Sequence, residues 1–306
     1  MTDVLIADDD PVSRRLLQVS LGHAGYNVTS AANGAEALRA LDAADYPRLC
    51  VLDWMMPEMD GVEVCRIIRE RGREPYVYVI LLTSKSEQRE IIEGLESGAD
   101  DYIVKPFDLH ELKARLRAGK RILDLEEQLV SARELLRTQA THDSLTGLLN
   151  RGAIFEMLNK ELSRATRKKE SLALIMADLD HFKQINDTYG HQAGDAVLRE
   201  AASRMRTALR EYDVIGRYGG EEFLVVSPQC RQTEAITLAE RLRECISAQP
   251  IIFDDQTIHI TASVGVAAVA GNSTRPEELL HAADEALYAA KDGGRNRVES
   301  HARVAQ

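Results

Sequence analysis

Residues 217–223 read Arg-Tyr-Gly-Gly-Glu-Glu-Phe, two glycines followed at once by two carboxylates between apolar stretches. A Gly-Gly pair in this setting predicts a β-hairpin, because glycine reaches the positive φ angles that tight hairpin turns require. We therefore expect Glu221 and Glu222 at the tip, where the missing side chains of Gly219 and Gly220 leave room for a bulky ligand. The alternative is a solvated hairpin with two surface acids.

An acidic stretch after residue 177 is a second candidate for metal and phosphate chemistry. Residues 172–177 are apolar and predict a buried strand, and the chain then reads Asp178-Leu179-Asp180-His181-Phe182-Lys183, followed by Asn186 and Asp195. Hard cations such as Mg²⁺ prefer carboxylate and carbonyl oxygens and usually keep phosphate oxygens in their shell. Asp178 and Glu221 are therefore candidates to hold a metal–triphosphate unit.

Near the C-terminus, two cations flank a glycine pair. Lys291 and Arg295 lie on either side of Gly293-Gly294, which predicts a helix end. Cations at this place suit the negative charge of nucleotide phosphates. The alternative is a capped helix whose lysine complements the helix dipole, which is common.

Together these stretches resemble the GGDEF family of diguanylate cyclases over roughly residues 140–300. The matching stretches are His-Asp-Ser-Leu-Thr-Gly-Leu-Leu-Asn-Arg at 142–151, the 178–195 stretch, Gly-Gly-Glu-Glu-Phe at 219–223 and Ala-Asp-Glu-Ala-Leu-Tyr at 283–288. Glu221 stands where the family name has Asp, which keeps the ligand chemistry.

The resemblance implies a role for each matching residue. Asp178, the carbonyl of Leu179 and Glu221 would bind Mg²⁺, with Glu222 as a supporting carboxylate. The polyphosphate would be neutralised by three cations, Lys183, Lys291 and Arg295. Because phosphoryl transfer depends chiefly on positioning and charge stabilisation, we assign no dedicated base.

Length and composition exclude several classes of protein. A chain of 306 residues predicts about two domains, and a net charge of -11 with no basic run argues against nucleic-acid binding and a transcriptional regulator. Residues 76–82, the longest apolar stretch, fall far short of the ~20 residues of a membrane span, and no signal peptide precedes the first strand pattern, so we expect a cytoplasmic protein. The four cysteines lack metal-ligand spacing and are expected to be reduced packing residues: Cys50, Cys65, Cys230 and Cys245.

Strand and helix signals alternate over the first 120 residues and predict a doubly wound parallel sheet. Ligands bind such sheets beyond the carboxyl ends of the strands, and polar residues follow successive predicted strands: Asp8, Asp9, Asp53, Thr83 and Lys105. Three converging acids repel each other strongly unless a divalent cation lies among them. Taken singly, each could be a solvated loop acid.

These residues resemble the receiver domain of two-component response regulators, from Val4 to about Leu116. Residues 53–61, Asp-Trp-Met-Met-Pro-Glu-Met-Asp-Gly, look like the phosphoacceptor loop. Lys105-Pro106-Phe107 looks like the segment that carries the family's lysine, in which the Lys-Pro peptide bond is cis, so we expect a cis bond between Lys105 and Pro106. The resemblance implies a phosphoacceptor, an Mg²⁺ site, two phosphoryl-binding residues and an aromatic switch. Asp53 would be the phosphoacceptor, and the Mg²⁺ ligands would be Asp8, Asp9, Asp53 and the carbonyl of Met55. Thr83 and Lys105 would bind the phosphoryl oxygens, and Tyr102 would be the aromatic switch.

Between the two halves, residues 109–140 contain no proline and one glycine and predict a continuous helix. Apolar and small residues recur in alternating steps of four and three and predict a coiled-coil seam: Ala118, Ile122, Leu125, Leu129, Ala132, Leu136 and Gln139. The alternative is one amphipathic helix packed on its own domain. The seam predicts a modestly stable homodimer.

The sequence thus predicts an α/β receiver domain at 1–117, a coiled-coil linker at 118–140 and an α+β GGDEF nucleotidyl-cyclase domain with a mixed sheet at 141–300. Such a protein would join two GTP molecules into cyclic di-GMP with release of two pyrophosphates. Its partners would be GTP, cyclic di-GMP, a histidine kinase or other phosphodonor, and a second copy of the chain.

Two further sites concern the base and the product. A carboxylate accepts from guanine N1–H and the exocyclic amine, so Asn186 and Asp195 favour GTP over ATP, although both residues also suit helix caps or turns. Arg210 and Asp213 form an Arg-x-x-Asp motif similar to the family's inhibitory product site, with Arg241 as a weaker contributor. The alternatives are an exposed ion pair at this motif, a mixed-purine cyclase, and a catalytically silent receptor for cyclic di-GMP.

Overall fold

A computed structural model describes residues 2–72, 74–84, 92, 94–270 and 274–301. The chain divides into two compact units, Met1–Glu134 and Leu135–Gln306. Each unit contains its own five-stranded sheet.

The first unit is a parallel α/β sheet, as predicted. Its strand order is β2-β1-β3-β4-β5, and every pairing is parallel. β3 and β4 are buried along their whole length, which is typical of strands covered on both faces by helices. The elements are β1 (Thr2–Ala7), α1 (Pro11–His23), β2 (Tyr26–Ala31), α2 (Gly34–Leu41), β3 (Leu49–Asp53), α3 (Gly61–Glu70), β4 (Tyr78–Thr83) and β5 (Asp101–Val104).

A single helix, α4 (Leu109–Thr141), confirms the predicted continuous helix. One face packs on the first unit through Leu112, Leu116, Gly119 and Leu123. Gly119 permits this close approach, because a Cβ there would lie 2.5 Å from Cδ1 of Tyr78. Every residue of the predicted seam is exposed, so the seam does not pack on its own domain, which was the alternative.

The second unit has the mixed, mainly antiparallel sheet that the sequence predicted. The strand order is β12-β11-β6-β8-β7; β11 and β12 are parallel, and the other neighbours are antiparallel. Its elements are α5 (Arg151–Lys168), β6 (Ser171–Leu179), α6 (Phe182–Tyr189), α7 (His191–Ala208), β7 (Val214–Arg217), β8 (Glu222–Pro228), α8 (Gln232–Ser247), β9 (Ile251–Phe253), β10 (Gln256–Ile258), β11 (Ala262–Ala270), α9 (Pro276–Asp292) and β12 (Val298–Ser300).

Two apolar layers cover this sheet, because side chains alternate between the faces of each strand. On β6, Ile175 and Ala177 face the layer that contains α7 and α8. Leu174 and Met176 face the layer that contains α5 and α9. The next even-numbered residue, Asp178, therefore lies at the end of the row that faces α9.

Gly265 sets the distance between α9 and the sheet. A Cβ at this position would lie 2.2 Å from the carbonyl oxygen of Ala283 and 2.3 Å from the backbone nitrogen of Leu287. Real Cβ atoms do not approach backbone atoms so closely, so only glycine lets the helix pack at this depth on β11.

The hairpin of residues 217–223, called the signature hairpin below, differs from its prediction in two ways. Neither Gly219 nor Gly220 has a positive φ angle, because a four-residue connection between β7 and β8 replaces the expected tight turn. Glu221 lies in this connection, but Glu222 is already the first residue of β8. Gly219 instead makes room inside the turn, since a Cβ there would lie 2.5 Å from Oε2 of Glu222, whereas the space beside Gly220 is open.

The cysteines are packing residues, as predicted. Cys50, Cys65 and Cys230 are buried in apolar clusters, Cys245 packs against one of them, and all four thiols are free. Among the described helices, none is long and apolar enough to cross a membrane.

Candidate functional sites

Asp178 and Lys291 form the centre of the site in the second unit. Asp178 is 7% exposed, and Nζ of Lys291 lies 2.8 Å from its Oδ2 atom. The carboxylate comes from the end of β6, and the ammonium group comes from the last turn of α9. Glu222 is the direct cross-strand neighbour of Asp178, so two carboxylates and one cation meet on the same face of the sheet.

Both carboxylates have raised pKa values. Burial raises the pKa of Asp178, the hydrogen bond and charge of Lys291 lower it, and the charge of Asp180 raises it further. Burial also raises the pKa of Glu222, followed by the charge of Asp178. A divalent cation would offset this desolvation and repulsion, so the donor set fits Mg²⁺. Among the described side chains, however, three carboxylates do not come within 4.8 Å of one another at this site.

Three further predicted residues, Leu179, Arg295 and Lys183, differ in how closely they are connected to Asp178. Leu179 donates its backbone N–H to the carbonyl of Glu221 at 3.3 Å, which ties residues 218–221, the signature turn, to the end of β6. Arg295 is exposed with a φ of 64° and lowers the pKa of Asp178 through its charge. Lys183 is exposed on α6, and none of the described ion pairs joins it to these acids.

Asp180 is a structural residue of the site to which the sequence analysis gave no role. Its buried carboxylate accepts from Oγ1 of Thr261 at 2.7 Å, from Oγ of Ser263 at 2.6 Å and from the backbone N–H of Asn296 at 3.1 Å. It therefore holds the loop after α9 against the end of β6. The i, i+2 spacing from Asp178 was the available signal, since it places both acids on one face of a strand.

Asn186 and Asp195 lie on neighbouring helices. Asn186 is half-buried on α6, and its Oδ1 atom lies against Gly194, where a Cβ would be only 1.9 Å away. Asp195 follows on α7 and is also half-buried. Neither side chain caps a helix: the N-caps of α6 and α7 are His181 and Gly190. The cap interpretation is therefore wrong, and both side chains stay available as base-recognition candidates.

The Arg-x-x-Asp motif is not the exposed ion pair that was the alternative. Asp213 is 9% exposed, and its carboxylate accepts from the backbone N–H of Arg210 at 3.0 Å and from Oγ of Ser227 at 2.6 Å. The guanidinium of Arg210 points elsewhere and donates to the hydroxyl of Tyr212 at 2.9 Å. Asp213 thus holds the turn, and Arg210 and Arg241 are exposed.

The first unit contains the predicted acidic cluster. Asp8, Asp9 and Asp53 each offer a carboxylate oxygen within 4.8 Å of the others, so these donors fit a divalent cation. Nζ of Lys105 lies 2.7 Å from Oδ2 of Asp53 and 3.2 Å from Oδ2 of Asp8. Asp8 is further held by Oγ of Ser13, which donates at 2.7 Å.

Electrostatics couple Asp53 to Lys105. Burial raises the pKa of Asp53, and the hydrogen bond and charge of Lys105 oppose this effect. Burial lowers the pKa of Lys105, but Asp53 and Asp8 outweigh burial and raise it. The lysine is therefore firmly protonated beside the candidate phosphoacceptor.

Three more predicted receiver residues are Thr83, the last residue of β4, Tyr102 within β5, and Met55, which follows β3. Thr83 is 1% exposed, and its carbonyl accepts from the backbone N–H of Lys105 at 2.7 Å. Tyr102 is half-buried and packs against the core, whereas the Met55 side chain is 61% exposed. The Lys105-Pro106 bond is cis, as predicted.

Comparison with known families agrees with this geometry. A family model described as diguanylate cyclase, GGDEF domain, matches residues 140–297, which is 158 of the 306 residues. The chain belongs to the GGDEF family. A second model, the response regulator receiver domain, matches residues 4–117, so the parallel unit is a receiver domain.

Two curated relatives match most of the chain. Response regulator PleD of Caulobacter vibrioides is 34% identical over 301 residues, which cover 96% of this chain and 65% of PleD. Diguanylate cyclase DgcP of Pseudomonas aeruginosa is 42% identical over 213 residues, which cover 68% of this chain and 32% of DgcP. The chain therefore spans less than two thirds of the length of these relatives.

A solved structure matches more than half of the chain. The coiled coil and GGDEF domain of DgcB from Caulobacter crescentus, in complex with cyclic di-GMP, matches with a TM-score of 0.56 and 34% identity. The match covers 62% of this chain and 98% of that one.

Proposed function

We propose that this protein is a diguanylate cyclase that condenses two GTP molecules into cyclic di-GMP and two pyrophosphates, under the control of its receiver domain. The observation that carries the proposal is the buried Asp178 between Glu222 and Lys291, at the end of the strand beside the Gly-Gly-Glu-Glu-Phe turn. Membership of the GGDEF family and the relatives named diguanylate cyclase support it.

Each site residue has a task in this proposal. Asp178, the carbonyl of Leu179 and Glu221 would hold Mg²⁺, which neutralises the charge that develops on a transferred phosphoryl group. Glu222 supports Asp178 from the adjacent strand. Lys183, Lys291 and Arg295 bind the polyphosphate, and Asn186 and Asp195 recognise guanine through its N–H donors.

The reaction requires two copies of the chain. Each copy of the chain binds one GTP in its second unit, and the 3′-hydroxyl of one nucleotide must meet the α-phosphorus of the other in line. The seam on α4 supports such pairing, because its leucines are exposed although leucine prefers burial: Leu125 is 55%, Leu129 is 69% and Leu136 is 64% exposed. We therefore propose a homodimer through this seam.

The receiver domain supplies the input. Asp53 would accept phosphate from a histidine kinase or another phosphodonor, with Asp8, Asp9, Asp53 and the Met55 carbonyl holding Mg²⁺. Thr83 and Lys105 bind the phosphoryl oxygens, and Tyr102 responds by moving inward. Because Leu112, Leu116 and Leu123 pack α4 on this domain, a changed receiver surface alters how the seam pairs.

The test is to incubate pure protein with GTP and Mg²⁺ and to identify the product by mass. We expect cyclic di-GMP from the parent and almost none from Glu221→Gln, a folded control that exchanges a metal-ligand oxygen for a neutral amide. ATP added in competition tests the mixed-purine alternative, since a mixed product would contradict guanine selection. Tight binding of cyclic di-GMP without any turnover would replace the cyclase with a silent receptor.

A further inference from the structure

Arg217 connects the signature turn to the segment that follows α4. Its Nε and one terminal nitrogen donate to the carbonyl of Gly220 at 3.0 and 2.7 Å. The other terminal nitrogen donates to both carboxylate oxygens of Asp143 at 3.2 and 3.1 Å. Among the described hydrogen bonds, these two from Arg217 are the ones that reach the Gly220 carbonyl.

Asp143 is itself fixed in place. Its Oδ1 atom accepts from the backbone N–H of Thr146 at 2.9 Å and from the Thr146 hydroxyl at 2.7 Å. Burial raises the pKa of Asp143, but the hydrogen bonds of Thr146 and the charge of Arg217 outweigh burial and lower it. The carboxylate is therefore a firmly ionised partner for the guanidinium.

The same segment is tied to the end of α4. Asn150 donates its backbone N–H to the carbonyl of Thr141 at 2.9 Å and its side-chain amide to the carbonyl of Ala140 at 2.8 Å. The neighbouring Leu149 accepts the backbone N–H of Arg217 at 2.8 Å. The last turn of the helix, the 142–150 segment and the end of β7 thus form one hydrogen-bonded assembly.

Two groups from outside the turn hold its backbone next to the Glu221 side chain: the guanidinium of Arg217 at Gly220, and the backbone N–H of Leu179 at the Glu221 carbonyl. Tyr218 and Gly219 donate their backbone N–H groups to the carbonyl of Glu222, which closes the base of the turn. Gly220, which directly precedes Glu221, is held from outside the turn by the guanidinium of Arg217. A shift of the helix end can therefore move Glu221 relative to Asp178.

We propose that Arg217 is a positioning residue, which fixes Glu221 for the reaction and passes the geometry of the helix end to the signature turn. This inference rests on the proposed function. A guanidinium suits the task because its fork holds a carboxylate with one edge and a carbonyl with the other, which a single ammonium group cannot do.

The variants separate positioning from ordinary stabilisation. Arg217→Ala removes both contacts, Arg217→Lys keeps the charge, and Asp143→Asn removes the counter-charge while leaving an acceptor for Thr146. The matched control is Arg206→Ala, because exposed Arg206 donates to the carbonyl of Thr146 at 3.4 Å and has no described contact with the turn.

Two readouts are measured on the full chain: hydrogen exchange of the peptide that covers residues 218–223, and kcat and KM for GTP. We expect faster exchange in Arg217→Ala and a kcat lowered by about 10²-fold with a smaller change of KM, because misplacement of a reacting geometry by ~1 Å costs about this much. Arg217→Lys and Asp143→Asn should fall between this variant and the parent, and Arg206→Ala should match the parent.

The inference would be overturned if Arg217→Ala had the same hydrogen exchange and the same kcat as Arg206→Ala. If Arg217→Ala does not fold, the same comparison is made with Arg217→Lys and Asp143→Asn, and parental values in both would overturn it. If the parent makes no cyclic di-GMP, the proposed function fails, and the exchange data alone decide whether Arg217 fixes the turn.

Discussion

The ammonium group of Lys291 lies 2.8 Å from the carboxylate of Asp178, although the two residues come from different elements of the second unit. The pairing places a protein cation where the proposed function puts the triphosphate and its metal. Lys291 offsets the buried charge of Asp178, and in the proposed function it would also offer a cation to the phosphates.

Lys291→Ala should lower kcat for GTP by about 10²-fold, because charge stabilisation of this kind contributes several kcal/mol and each ~1.4 kcal/mol is tenfold. Lys291→Arg keeps the charge and should retain part of the activity. Steady-state kinetics on both variants, with circular dichroism to verify folding, provides the measurement. Parental kcat in Lys291→Ala would remove this lysine from the site.

Arg210→Ala should relieve inhibition by cyclic di-GMP and leave the fold intact, because the Arg210 side chain is exposed and only its backbone N–H binds Asp213. A guanidinium suits a bidentate grip on guanine or phosphate. The concentration of product that halves the rate should rise at least about tenfold. Tyr212→Phe is the control, since it removes the hydroxyl that Arg210 contacts and keeps the arginine. Equal inhibition of Arg210→Ala and the parent would assign the motif a purely structural role.

Beryllofluoride, which mimics a phosphoryl group, should raise the cyclase rate of the parent several-fold and leave Asp53→Asn unchanged. Asp53 is 7% exposed at the end of β3 and lies beside Lys105, so the mimic would be bound by Lys105 and Thr83. Rate and molar mass are measured over a range of protein concentrations. An unchanged parental rate at every concentration would show that the receiver domain is not an input.

Leu129→Asp should weaken the proposed homodimer by about 100-fold or more, since each buried leucine contributes ~1.5–3 kcal/mol and a dimer loses two. Leu135→Asp is the matched control, because Leu135 is 60% exposed on the same helix and lies outside the seam. Sedimentation equilibrium measures both dissociation constants. If the two substitutions weaken association equally, the seam has been placed on the wrong face.

Tyr76 should make the stability of the receiver domain sensitive to alkaline pH. Burial and the hydrogen bond that its hydroxyl donates to Asp100 raise its pKa to about 12. A raised folded-state pKa means that this contribution is complete below about pH 10 and is lost as the pH rises towards 12. Urea unfolding across this range, compared with Tyr76→Phe, should show a steeper loss in the parent. If the stability of the parent and of Tyr76→Phe fell equally with rising pH, Tyr76 would not be the source of the alkaline sensitivity.

The sequence predicted elements wherever local pattern determines them. The apolar runs of β1, β3, β4 and β5, the polar residues at or just after the ends of these strands and the absence of helix breakers in α4 all depend on neighbours in the chain, and the structure agrees with each. The Asp8, Asp9 and Asp53 cluster follows from parallel topology, because that topology brings strand ends together.

The sequence could not predict contacts that depend on tertiary register. Asp213 is buried and accepts a hydrogen bond from Ser227 of the adjacent strand, whereas the motif alone left an exposed ion pair open as the alternative to an inhibitory product site. Gly219 and Gly220 were expected to adopt positive φ angles, but Gly219 is needed because any side chain there would collide with the side chain of Glu222. Arg217 and Asp143 are 74 positions apart, and their pairing follows from the way the 142–150 segment joins β7.

Gly265 shows how far the site extends beyond the residues that would touch a nucleotide. Any side chain there would lift α9 off the sheet, and the lysine in its last turn would lose its reach to Asp178. A substitution at Gly265 would thus resemble an active-site defect in kinetics while leaving every ligand-binding residue unchanged. Genetic screens for inactive variants would find Gly265 together with the acidic and basic residues of the site, because the packing distance between α9 and the sheet sets the position of Lys291.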